Sequence, residues 1–216
     1  MDNLADKMEE TGFTGAVTAE TNATLVVIPD NQNEIPTIID SLNAEFNTFA
    51  YNEALPSSSE VFIEAHRVVA KLKALGLKRV TVIGVGEGGA LAQALALLAP
   101  KLARRLCLID SSTRALPTRL SRMIDRIEQV LPLGLPLRVH SDSFDSRSFL
   151  HRIHCPTLVL ISKSASSFIK KECELLAFRM PNAATLTLDN DYKFKNLQKA
   201  LSEFLKVPTK RPQKNL

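Results

Sequence analysis

The sequence predicts a doubly wound α/β domain: a mostly parallel sheet of about six to seven strands, helices on both faces, and a minimal lid. Two observations carry that prediction. Short apolar, β-branched runs alternate with helical segments along most of the chain, the pattern of repeated strand–helix–strand units. Several of those runs are apolar at nearly every position, which implies burial on both faces, as in a parallel sheet covered by helices.

Residues 24–28 (TLVVI) and 46–51 (FNTFAY) read as the first strands. The segment Ser57-Ser58-Ser59-Glu60 reads as a capping box, with the Ser57 hydroxyl serving the amide of Glu60. Val61, Ala65, Val68, Leu72 and Leu75 then form one apolar stripe, and Gly76 ends that helix in the left-handed region. Residues 79–84 (RVTVIG) form a strand, and 87–99, rich in Ala and Leu almost all round, form a deeply packed helix stopped by Pro100. Strands at 105–110 (RLCLID), 157–162 (TLVLIS) and 184–189 (ATLTLD) complete the sheet.

Residues 113–152 interrupt the alternation as a short lid excursion. Within it, 119–130 has an amphipathic helical period through Leu120, Met123, Ile124, Ile127 and Val130, and Pro132 and Pro136 break any regular structure beyond it. Residues 1–206 thus make a single domain carrying that excursion. Residues 207–216 (VPTKRPQKNL), with two prolines and no apolar period, make a basic flexible tail.

A chain of 216 residues with 45 % apolar positions can bury one substantial core, which excludes wholesale disorder. The longest apolar stretch, 90–99, is interrupted by Gln93 and too short to span a bilayer. The first residues are acidic and lack an apolar core, so no secretory signal is expected. Three widely spaced cysteines, Cys107, Cys155 and Cys173, fit a reducing, cytoplasmic setting better than a disulfide framework. The net charge of +4 hides an asymmetry: −10 over residues 1–60, +8 over 61–162 and +6 over 163–216. The basic residues fall mostly on helix faces and in the tail, with few aromatics among them. That reads as a solvated surface, not a nucleic-acid interface. A small ligand or a protein is the expected partner.

Function turns on Gly84-Val85-Gly86-Glu87-Gly88-Gly89, between a strand and a buried helix. Gly84, Gly86 and Gly89 match G-x-G-x-x-G formally, and Asp110 ends the next strand near the spacing of a ribose-binding acid. Glu87, however, would repel the phosphate that a helix N-terminus attracts. The same kind of turn also serves as the nucleophile elbow G-x-S-x-G. The run RVTVIGVGEGGALAQALALLAPKLARRLCLIDSS resembles the elbow region of the α/β-hydrolase family. IHCPTLVL at 153–160 is similar to that family's penultimate strand, MPNA with ATLTLD to the strand before its histidine, and residues 196–205 to its last helix. TLVVIPD and FNTFAYN fall where the family places its oxyanion strand and the strand after it, so the resemblance spans residues 23–206 in order.

The resemblance implies a triad that this chain lacks. The nucleophile position falls on Gly86, the acid near Ala165 in SKSASS, the base on Lys193 in DYKF, and the family's His-Gly on Pro29-Asp30. Glycine has no side chain to attack a carbonyl, and lysine, with an ordinary pKa near 10.4, is a poor base at neutral pH. Pro29 has no N–H to offer an oxyanion, while Asp30 and Glu87 bring negative charge to where one would develop. Gly84 and Gly88 keep the turn's small neighbours. The expectation is a non-catalytic binding or regulatory protein with a pocket formed by Pro29, Asp30, Gly86, Glu87, Asp110, Ser111, Ser162 and Lys193, and with Lys193 beside Glu87 or Asp30.

Two alternatives remain open. One is an esterase-like hydrolase with relocated residues, using Asp110 and Ser111, Ser162 or Ser164; the other is a dinucleotide-binding module using Gly84, Gly86 and Gly89. His151, His154 and Cys155 have partly metal-like spacing but no fourth ligand nearby. His66 and His140 read as surface or packing residues, so neither a metal nor a cofactor is expected.

Overall fold

A computed structural model describes residues 11–16, 23–35, 40, 42, 45–114, 144–188 and 194–206. Among the described residues seven strands form one sheet: β1 (Phe13–Ala16), β2 (Thr24–Ile28), β3 (Asn47–Tyr51), β4 (Val80–Val85), β5 (Ala103–Ile109), β6 (Thr157–Ser162) and β7 (Ala183–Leu188). Their spatial order is β1-β3-β2-β4-β5-β6-β7. Every neighbouring pair is parallel except β1 with β3, which is antiparallel. Among the described residues the α-helices are α1 (Val61–Ala74), α2 (Gly88–Leu98), α3 (Ser167–Arg179) and α4 (Phe194–Lys206).

The apolar runs do face both ways in the central strands. Val26 and Ile28, Val80 and Val82, Leu106 and Leu108, and Val159 and Ile161 join one core with Ala65, Val68 and Leu72 of α1, Leu91 and Leu95 of α2, and Cys173 and Leu176 of α3. The alternate residues, Leu25 and Val27, Ile83 and Val85, Cys107 and Ile109, and Leu158 and Leu160, join a second core with Ile35, Leu42 and Phe46 and with Leu197, Leu201 and Phe204 of α4. Burial of each such side chain contributes about 1.5–3 kcal/mol before entropy is counted, which explains why β-branched residues dominate these runs.

The end of α1 is built as its glycine predicts. Gly76 has φ +77°, its N–H donates to Lys73 O, and the Leu77 N–H reaches back to Leu72 O. Those paired bonds satisfy carbonyls that a helix end otherwise leaves open. Its start differs from expectation. Glu60 is the residue that caps α1, without a side-chain bond to the helix. The Ser57 hydroxyl donates to the Glu60 carboxylate at 2.5 Å, and it is the Ser57 carbonyl that accepts the Glu60 N–H. Residues 58–60 form a turn ahead of the helix, so the box lies one turn too early.

β7 departs further from expectation. Residues 184–187 are exposed and only Leu188 at its end is buried, because β7 is the edge strand and pairs only with β6. Neither the short antiparallel β1 nor the helix α3, whose N-cap Ser166 accepts the Ile169 N–H, was expected. The two ends of the expected excursion meet, since Arg114 and Asp145 form an antiparallel bridge, and Phe144, Phe149, Leu150 and Ile153 are buried in the first core. The expected helix at 119–130, His140, Lys193 and the tail at 207–216 lie outside the described residues. No described helix is long and apolar enough to cross a membrane.

Candidate functional site

Because β2, β4, β5 and β6 are parallel neighbours, their carboxyl ends share one edge of the sheet. That edge brings together Pro29 and Asp30 after β2, Gly86 and Glu87 after β4, Asp110 to Ser112 after β5, and the Ser162–Ala165 turn that ends β6. Seven of the eight residues expected to form a pocket therefore share that edge, but of them only Gly86 and Glu87 line the cavity found there; the eighth, Lys193, lies outside the described residues.

Gly86 makes the turn. Its φ is +52°, a left-handed conformation that glycine adopts without penalty, and its N–H donates to Ile109 O at 2.9 Å. The surrounding glycines are required by close packing. A Cβ on Gly84 would come within 2.7 Å of Ala92 Cβ and Gly89 Cα, and one on Gly89 within 2.2 Å of the Ser111 hydroxyl. These contacts, of β4 against α2 and of α2 against the segment after β5, are reason enough for glycine at positions 84 and 89.

Asp30 lies over the turn. Its Oδ1 accepts the Glu87 N–H at 2.9 Å. A Cβ built on Gly86 would meet Asp30 Cγ at 2.6 Å and Oδ1 at 2.8 Å. One carboxylate thus fills the space a side chain at position 86 would need and takes the N–H that opens α2. An exposed carboxylate at a helix N-terminus is favoured by the helix dipole.

Asp110 and Ser162 form a second pair. Asp110 is the one described non-glycine residue with positive φ, at +45°. Its carboxylate accepts the Ser162 N–H at 2.8 Å and the Ser162 hydroxyl at 2.5 Å, and this ties the ends of β5 and β6 together. Ser111 is fully buried, and its hydroxyl hydrogen is directed at two backbone carbonyls, Gly84 O at 3.3 Å and Ile109 O at 3.1 Å. Ala165 closes a tight turn through its N–H to Ser162 O, and Ser164 is exposed.

The thiols are held protonated. Cys173 donates to Ser111 O at 3.2 Å, and burial, then the nearby charge of Asp110, pushes it up to about 12. Burial pushes Cys155 up to about 11 and Cys107 higher still. None supplies a thiolate at neutral pH. His151, His154 and Cys155 precede β6, at the edge of the sheet opposite Gly86, and His66 is exposed on α1. No group of three or more His, Cys, Asp or Glu among the described residues could hold a metal ion.

A cavity of about 240 Å³ opens beside the turn, with Gly86, Glu87, Ser57, Ser112 and Arg114 as its polar walls and Leu55, Val61 and Leu91 as its apolar ones. The sequence reading missed Arg114 and the residue that fixes it, Glu172. The Glu172 carboxylate, 6 % exposed, accepts the Thr113 N–H at 2.9 Å, the Thr113 hydroxyl, and an Arg114 Nη2–H at 3.3 Å. Burial alone would raise its pKa; the Thr113 bonds and the Arg114 charge outweigh that and hold it below the ordinary carboxylate value. The available signal was position, since Thr113 and Arg114 directly follow a strand end at the functional edge.

No protein-family model and no curated protein sequence matches this chain. Solved structures do match it. A hydrolase from Pseudomonas aeruginosa aligns at TM-score 0.65 and 21 % identity over 90 % of this chain and 92 % of its own. An enol-lactonase from Burkholderia xenovorans aligns at 0.64 and 17 %, over 89 % and 94 %. A lipase-esterase related protein from Clostridium acetobutylicum aligns at 0.69 and 13 %, over 89 % and 98 %.

Proposed function

Starting from the α/β-hydrolase fold, which this chain adopts, we propose that it is a non-catalytic binding protein built on that frame. The observation that carries this reading is the Asp30 carboxylate against Gly86 and Glu87. In acyl-transfer members of the fold, the residue at the elbow attacks and the next backbone N–H holds the oxyanion. Here the elbow residue has no side chain, and its neighbour's N–H already binds an anion of the protein's own. A developing oxyanion would meet a fixed carboxylate in place of a donor, which inverts the electrostatics that acyl transfer requires.

The cavity beside the turn is the ligand site in this reading. At about 240 Å³ it is smaller than the roughly 300–1,000 Å³ of sites for drug-sized molecules, and so suits a compact ligand with an apolar body and a polar end directed at Arg114 or Ser112. The size and the Asp30 carboxylate at the α2 N-terminus both argue against a dinucleotide. The Asp110–Ser162 contact is the one feature that favours relocated hydrolysis. Its hydroxyl faces a carboxylate, but no imidazole accompanies the pair among the described residues.

Hydrolysis of p-nitrophenyl acetate, butyrate and octanoate decides between these readings. The protein is expected to show no turnover above buffer, and Gly86→Ser is expected to add none, because no imidazole among the described residues stands ready to activate the new hydroxyl and Asp30 holds the neighbouring N–H. Turnover by the wild type that Ser162→Ala or Asp110→Asn abolishes would overturn the proposal.

A further inference from the structure

At the opposite edge of the sheet, three arginines, one just before β4 and two in β5, converge on one cavity. Side chains of a regular strand alternate between faces, yet Arg104 and Arg105 are consecutive and both line the same space. The β4–β5 ladder explains this. Val80 pairs with Ala103 and Thr81 with Arg105, so Arg104 is an extra, bulged residue. Bulges are uncommon between parallel strands and serve to re-aim a side chain. Arg79, exposed just before β4, completes the set, and the cavity measures about 490 Å³.

The arginines have different neighbours. Arg105 donates through Nη2 to Leu205 O at 2.9 Å, which caps the last turn of α4 with a cation, as the helix dipole favours. The Arg104 Nε is buried and has no hydrogen-bond partner among the described residues. No acidic residue is among the described residues that line the cavity. Burial, followed by the charges of Arg79 and Arg104, lowers the Arg105 guanidinium below its ordinary value. Like charges crowded around one cavity carry a free-energy penalty, and a bound anion would relieve it.

We propose that this cavity binds a small ligand carrying a diphosphate or two adjacent phosphate groups. Guanidinium forks match phosphate oxygens bidentately. Two or more cations in one cavity favour clustered charge over a single phosphate, and the volume lies within the range of small-molecule sites. The site is separate from the turn at Gly86, so it holds whether or not the chain is catalytic.

The test is calorimetric titration and thermal unfolding of the full chain with inorganic pyrophosphate, against orthophosphate and sulfate at matched ionic strength. Pyrophosphate is expected to bind saturably at one site and to raise the melting temperature by several degrees at 100 times its Kd. Arg104→Gln and Arg79→Gln are each expected to weaken it about tenfold or more, and Arg104→Lys to weaken it less than Arg104→Gln. Arg79 is exposed, so Arg79→Gln keeps the test decisive if Arg104→Gln misfolds. Three results would overturn the proposal. They are no saturable binding (as when an acidic segment of the chain itself fills the cavity), equal binding of sulfate, or unchanged binding in both glutamine variants. A single-stranded oligonucleotide that outcompetes pyrophosphate at equal phosphate concentration would overturn the small-ligand class.

Discussion

Gly88→Ala is expected to lower the unfolding free energy by about 1–3 kcal/mol, the range for overpacking a filled core. A Cβ at this position would lie 2.3 Å from Ile28 O and 2.9 Å from Ile28 C. The obstruction is backbone at the end of β2, and Ile28 is paired with Gly84 of β4, so it cannot withdraw without disturbing the central ladder. The sign is the informative part. Inside a helix, glycine to alanine ordinarily stabilises by about 1 kcal/mol, and Gly88 opens α2. Urea denaturation should show a lower midpoint with an unchanged slope; an unchanged or higher midpoint would mean that α2 can shift on the sheet and that the turn is not fixed by packing.

Glu172→Ala is expected to cost about 2–3 kcal/mol at neutral pH, since it strands the buried Thr113 N–H and hydroxyl and frees Arg114. It should also change the pH dependence. The folded carboxyl titrates below its ordinary 4.5, so between that value and the folded pKa the unfolded chain binds more protons, and stability rises with pH there. The contribution is complete above about pH 5 and is lost as pH falls through the folded pKa. The wild type should therefore lose more stability on acidification than Glu172→Ala does. Asp145, also held low by Arg147, leaves a residual slope in both proteins. Parallel acid profiles would show that Glu172 is not the group responsible.

Much of the frame was legible because it follows from local pattern. Strands buried on both faces declare themselves by continuous apolarity, and β2, β4, β5 and β6 lie within two residues of their expected places. Gly76 announced the end of α1, and the glycines at 84–89 announced a tight strand-to-helix turn. Asp30 was expected to bring negative charge to that turn, and the structure adds that its carboxylate lies against the position a nucleophile would take.

The features that were not legible depend on partners distant in sequence. β1 is four residues, FTGA, with no period, and it exists only because β3 offers an edge. β7 reads as apolar, yet its exposure is decided by its place at the end of the sheet. In α3, Ser166 is one of several serines able to cap, and charged residues interrupt the apolar stripe. Arg114 and Glu172 are separated by 58 residues. The bulge at Arg104 is likewise invisible in ARRLCLI, where two arginines before an apolar run read as a solvated strand entrance.

The most direct measurement at the turn is intact-mass analysis after incubation with a fluorophosphonate probe, which labels an activated serine. With the elbow side chain deleted, Asp30 on the Glu87 N–H, and the Ser111 and Ser162 hydroxyls committed to Gly84 or Ile109 and to Asp110, no adduct is expected on the wild type or on Gly86→Ser. A stoichiometric adduct on one serine of the wild type, lost when that serine is replaced by alanine, would show a working nucleophile at this edge and contradict the silent frame.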